Sequence, residues 1–205
     1  MDVTLDQCQK LVADVQVAHR LLVAYYERLT SRMDMVARDL DARFIKWDPT
    51  ETERPCRAKT QPSRHWLWDM VPLYAAYHAY GKTSANTIRV GDFAICFTVY
   101  SDDAFDSENR KRAGVRGKPD PLTLPAGEGL LVVEVFLAGR NIKKTWDELW
   151  DDLDDPDPMT GRWGAVGNDV DAIAFKLPLA EFMHDPAVAR ARISTLVAKK
   201  AAQTE

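Results

Sequence analysis

The first forty residues constrain the fold more than any other stretch. Leu5, Cys8, Val12, Val15, His19, Leu22, Tyr26, Leu29, Met33, Val36 and Leu40 follow one another at alternating steps of three and four. Such a stripe is a heptad seam, and it folds as one face of a helix. Leu11, Ala18 and Tyr25 widen that face, as contact with more than one neighbour requires. Thr4 and Gln7 form a capping box at its start, and no glycine or proline intervenes before Pro49. The spacing predicts one helix over 4–43, about 60 Å long at the usual rise per residue. A compact domain of this length has a radius of gyration of only about 17 Å. The rod is therefore expected to overhang, to bend, or to pair with another chain. The expected organisation is residues 1–45 as a long helix that serves self-association, followed by a single α+β domain over 46–205.

Residues 46–64 are polar, contain three prolines, and read as a connecting loop. A second helix is expected from Ser63 to Gly81. There Trp66, Met70, Leu73, Tyr77 and Tyr80 keep helical spacing, Gly81 supplies a stop, and Pro72 a kink. Gly91-Asp92 lies between two apolar arms, 87–90 and 93–101, and reads as a tight hairpin. Residues 102–129, rich in charge, glycine and proline, read as a long loop. "LLVVEVFLA" (130–138) is apolar on both faces except for Glu134, the profile of a central strand covered on both sides. Thr145 and Glu148 make a second capping box, which opens a short acidic helix. "VDAIAFKLP" (170–178) is a strand, and Asp185-Pro186 launches a last helix over about 186–202. The fold expected is α+β: the long helix and the second helix packed on a small, mostly antiparallel sheet of about four strands, with the acidic helix and a C-terminal helix.

Charge and motifs exclude more functions than they assign. The net charge is −4, so nucleic acid is disfavoured as a partner. Cys8, Cys56 and Cys96 are widely spaced, which argues against a zinc site or disulfide framework and for reduced thiols in a cytoplasm. The start "MDVTLDQCQK" does not have the build of a signal peptide, and no apolar run is long enough to span a bilayer. Alanine, arginine and aspartate usage points to a GC-rich bacterial source. Neither a phosphate-binding glycine loop nor a nucleophile elbow occurs. No cofactor and no resident metal are expected.

Three groups of residues stand out. Between Asp147 and Asp157 seven carboxylates fill eleven positions. Asp147 and Glu148 suit the first helical turn, whereas Asp151, Asp152, Asp154 and Asp155 crowd its C-terminal end, where negative charge is unfavourable. A cationic protein partner would relieve that repulsion. Trp146, Asp147, Trp150, Asp151, Asp154 and Asp155 form the expected partner-binding surface. A basic loop with Arg110, Lys111, Arg112, Arg116 and Lys118 has no interleaved aromatic residue for base stacking. Glu134, alone in an apolar strand, must pair or shift its pKa upward. Arg89 and Lys176 are its expected partners. It also allows a metal-dependent reading with Asp92 and His65, although Phe136 stands where nucleases of that kind place a lysine. Of the other histidines, His19 occupies the heptad seam.

The leading expectation is thus a non-catalytic interaction protein of regulatory, immunity or anti-defence type. It would form a homodimer through the N-terminal helix and present an acidic, tryptophan-containing surface. A metal-dependent hydrolase or nuclease using dispersed carboxylates is the alternative.

Overall fold

The computed structural model describes residues 4–52, 61, 70–83, 86–112, 114–115, 124–158 and 160–203. Helix α1, Leu5–Asp39, is unbroken. The Thr4 hydroxyl accepts the Gln7 amide at 3.3 Å, and Gln7 Oε1 accepts the Thr4 amide at 2.9 Å, closing the capping box. The helix stops at Asp39 because Asp41 enters the left-handed region at φ 58°, which a short polar side chain tolerates. The Ala42 amide then turns back to Ala37 O at 2.8 Å.

Six strands among the described residues form one sheet in the order β1-β2-β3-β4-β6-β5. They are β1 (Arg43–Pro49), β2 (Ala75–Lys82), β3 (Phe93–Tyr100), β4 (Leu130–Ala138), β5 (Gly164–Ala165) and β6 (Val170–Pro178). Every neighbouring pair is antiparallel. Short helices α2 (Ser107–Arg112), α3 (Trp146–Leu149) and α4 (Leu179–His184), and the longer α5 (Ala187–Ala201), complete the α+β fold. Asp185 caps α5 by accepting the Ala187 amide at 3.0 Å.

Four sequence expectations need correction. First, 75–82 is a strand, not the second half of a helix. It is covered on both faces, so its apolar residues run on without a period-two gap, and its alanines mimic a helix former. Pro72 belongs to a 3-10 turn, Pro72–Tyr74, that leads into this strand. The rest of the expected helix, 64–69, lies outside the described residues. Second, the start of the expected 46–64 loop is part of β1, a bulged strand against β2. Third, 87–90 is not a hairpin arm. Both edges of β3 are taken by β2 and β4. Ile88 instead makes an isolated bridge to Ile142, and the Val90 amide donates to Asn141 Oδ1 at 3.0 Å. The expected loop 102–129 also contains structure: a 3-10 turn at Asp103–Phe105, then α2. Asp106 supports α2 by accepting the Asn109 amide at 2.7 Å.

The sheet separates two apolar layers. On one side Phe97, Val133, Val135 and Phe175 meet α1, α4 and α5 through Leu29, Met33, Val36, Phe182 and Ile193. On the other, Phe136, Cys96 and Ala172 meet Trp146, Leu149, Ile88 and Val166. The approach is close at Gly81, where a Cβ would stand 2.6 Å from Trp146 Cδ1 and 3.0 Å from Ile45 Cδ1. The Trp146 ring has little room to retreat. It is buried, and its indole N–H donates to Lys82 O at 3.2 Å. Gly81→Ala is therefore expected to cost about 1–3 kcal/mol through overpacking, measured by urea unfolding. An unchanged midpoint would show that the ring moves freely.

One face of α1 serves two environments. Leu29, Met33 and Val36 are buried beneath the sheet, whereas residues 5–21 are all exposed. Leu5 is 75% exposed, Val12 58% and Val15 42%, on the same seam. About 25 Å of helix is therefore exposed along its whole surface.

Candidate functional site

Among the described residues the second face of the sheet is only half covered, and the uncovered half is the candidate site. The register brings Cys96, Glu134 and Ala174 side by side, then Thr98, Val132 and Lys176, then Tyr100, Leu130 and Pro178. Tyr77 of β2 lies opposite Thr98. Where Phe136 and Ala172 surface, Trp146 and Leu149 cover the sheet. Beyond Trp150 a cleft of about 460 Å³ opens over Glu134, Cys96, Thr98 and Tyr77. A second cleft of about 290 Å³, lined by Arg112 and Lys176, continues it past Tyr100, Val132 and Pro158.

The acidic stretch builds the wall of the first cleft. Trp150 stacks on Tyr77 at 6.2 Å between ring centroids and tilts against Phe136 at 5.2 Å. Asp151 pairs with Lys46 of β1 at 2.7 Å, and Asp152 with Lys144 at 2.5 Å. The Asp154 amide donates to Val166 O at 2.9 Å. Two of the four crowded aspartates are thus neutralised within the chain. These pairs are largely exposed, so each contributes little on its own, but together they fix where the wall stands. Trp146 lies in the core at 2% exposure and Trp150 is half-buried, while Asp147, Asp151, Asp154 and Asp155 face solvent. Asp155 also lines the cleft.

Glu134 sits on the cleft floor, 9% exposed. The Thr98 hydroxyl donates to its Oε2 at 3.5 Å, and the Cys96 thiol is its other hydrogen-bonding neighbour. Burial, with a smaller push from the Asp155 charge, raises its carboxyl pKa to about 7, only partly offset by those two hydrogen bonds. Burial and the Glu134 charge in turn push the Cys96 thiol well up, so it is a protonated, weakly nucleophilic neighbour. The partners expected for Glu134 do not reach it. Arg89 is exposed in the turn before β3, and Lys176 lines the second cleft.

The other sequence-derived residues are dispersed. Asp92 is buried, but in the turn before β3. It accepts the Arg89 amide at 2.8 Å, and its carbonyl accepts the Ala138 amide at 3.0 Å. Ala138 lies four steps along β4 from Glu134, about 13 Å at the rise of a strand. The two carboxyls therefore do not share one ion site. His65 lies outside the described residues. Among those described, no group of three or more histidine, cysteine, aspartate or glutamate side chains is placed to hold a metal. Arg110, Lys111 and Arg112 lie on α2, and Arg116 and Lys118 lie outside the described residues. Sequence reading missed Cys96, Thr98, Tyr77 and Tyr100 as site residues. In "FAICFTVY" Cys96, Thr98 and Tyr100 alternate with the aliphatic or aromatic Ile95, Phe97 and Val99, and that alternation is the signal that was present.

Fold and site together define an α+β protein with a projecting helix and an acidic, aromatic-walled cleft on a half-covered sheet face. The chain matches the PM0109 family over residues 6–204 and belongs to that family. No curated protein and no solved structure matches it. No helix among the described residues is long and apolar enough to cross a membrane.

Proposed function

We propose that the protein is a non-catalytic interaction protein of the bacterial cytoplasm, which forms a homodimer through α1 and presents its acidic segment to a cationic protein partner. The observation that carries this reading is the heptad seam of α1. Its second half is core, and its first half continues in the same register with its apolar residues exposed and, among the described residues, outside the core. A short helix in water is marginal without packing. The capping box and the Lys10–Asp14 pair at 2.7 Å add only about 1–1.5 kcal/mol together. Burial of Leu5, Val12 and Val15 against a second copy supplies what they do not. Cys8, free and exposed on that seam, and Cys96, free and buried, accord with a reducing compartment.

Sedimentation equilibrium tests the first half of the reading. The full chain is expected to be dimeric at on the order of tens of micromolar, with mass action visible on dilution. Removal of residues 1–21 should give a folded monomer. Removal of 1–40 should instead unfold the domain, because it takes Leu29, Met33 and Val36 out of the core. A full-length monomer at those concentrations would defeat the reading. The second half is tested by a pull-down in which the aspartates at 151, 154 and 155 are changed to asparagine. Unaltered capture of basic partners would count against the acidic surface.

A further inference from the structure

The cleft over Glu134 has a chemistry that self-association leaves unused. Its volume lies within the range of small-molecule sites. The charged groups among its described lining residues are Glu51, Glu134 and Asp155, all acids. Tyr77, Tyr100 and Trp150 supply three aromatic rings around them. Glu134 is buried in an otherwise apolar strand, with a long hydroxyl contact and a thiol as neighbours and no cation within ion-pair reach among the described residues. A buried carboxylate in that condition is costly, and the cost ends when a positive charge enters. An anion would meet repulsion from both Glu134 and Asp155, and a neutral apolar molecule would leave the carboxylate unanswered. A cation between aromatic faces gains from the ring quadrupoles as well. The wall is already in place, since Trp150 is wedged between Tyr77 and Phe136 and its turn is tied down through Asp151 and Asp152. Such preorganisation lowers the entropic cost of binding.

We propose that this cleft binds an organic cation, an ammonium or guanidinium group on an apolar stem, with the Glu134 and Asp155 carboxylates at its charged end and Tyr77, Tyr100 and Trp150 around the stem. The same chemistry is carried by a free amine and by a lysine or arginine side chain of another protein. The full-length protein would be titrated by calorimetry with phenethylamine and with agmatine, and separately with the peptide acetyl-Gly-Arg-Gly-amide. The neutral 2-phenylethanol serves as the isosteric control.

At least one cationic probe is expected to bind about tenfold or more tightly than the neutral control. Glu134→Gln, which keeps the shape and removes the charge, should abolish that preference, and Asp155→Asn, at the exposed rim, should weaken it. Binding of the small amines supports a free-cation site, and binding of the peptide alone supports capture of a partner's basic side chain. Equal binding of 2-phenylethanol, no binding by any cationic probe, or undiminished binding by a folded Glu134→Gln variant overturns the proposal. None of these outcomes depends on the oligomeric state, so this site and the role of α1 stand or fall separately.

Discussion

Met33→Ala is expected to lower the free energy of unfolding by about 2–5 kcal/mol, while Val12→Ala leaves the domain's unfolding unchanged to within about 0.5 kcal/mol. The two residues occupy the same heptad position, three repeats apart on one helix. Met33 is fully buried against the helical face of the sheet, so its removal loses transfer energy and leaves a cavity. Val12 is 58% exposed and touches no core. On the proposed pairing through α1, Val12→Ala is expected to weaken association between copies. Urea unfolding at low protein concentration reads the first effect, and sedimentation across a dilution series reads the second. Equal destabilisation of the domain by both substitutions would mean that the projecting part of α1 folds back onto its own chain.

The second large effect concerns pH. Glu134 has an ordinary carboxyl value of 4.5 when unfolded and about 7 in the native protein, chiefly through burial. Because the native value is the higher, the native state holds the proton more tightly. Below pH 4.5 both states are protonated and the contribution to stability is fully present. Between pH 4.5 and 7 the unfolded chain releases its proton first, and stability falls by about 1.4 kcal/mol per pH unit. Above pH 7 both states are ionised, and the loss levels off on the order of 3 kcal/mol.

Glutamine carries no such charge. Glu134→Gln is therefore expected to match the natural protein near pH 4.5 and to exceed it by on the order of 3 kcal/mol at pH 8. Groups that do not interact with Glu134, such as His78, whose pKa is lowered by burial, are present in both proteins and drop out of the difference. Tyr77 and Cys96, both held above their ordinary values, stay protonated over this range. The charge of Asp155 enters only through the native Glu134 value, to which it already contributes. Urea unfolding at pH 5, 6, 7 and 8 gives that difference directly. Two stability curves that run parallel over this range would show that Glu134 is better solvated or better paired than the geometry implies.

The elements with strong local signals were legible in the sequence. The capping boxes at Thr4 and Thr145, the heptad seam, the doubly covered β4 and the Asp185 cap all form as their residue types require. What was not legible depends on tertiary context. β2 has Gly81 where a strand would carry a side chain, because the Trp146 ring packs against it, and its alanines at 75, 76 and 79 are fully buried. A doubly buried strand and a buried helix share one periodicity signal. Half of the site was visible as well. Glu134 stood out as a lone charge in an apolar strand, and the acidic crowd was visible as repulsion in need of relief. Its relief through Lys46 and Lys144 comes from pairing with β1 and with the turn before α3, which no local spacing records.

A single stiff rod that is anchored at one end and free at the other transmits its rotational phase. One alanine inserted after Ala24 would turn Leu5, Val12 and Val15 by about 100° around the axis while leaving Leu29 and Met33 seated. Seven would restore the azimuth to within about 20° and only lengthen the reach by about 10 Å. On the proposed pairing, the orientation in which two such molecules would meet is set by the count of residues between Val15 and Leu29 as much as by what those residues are.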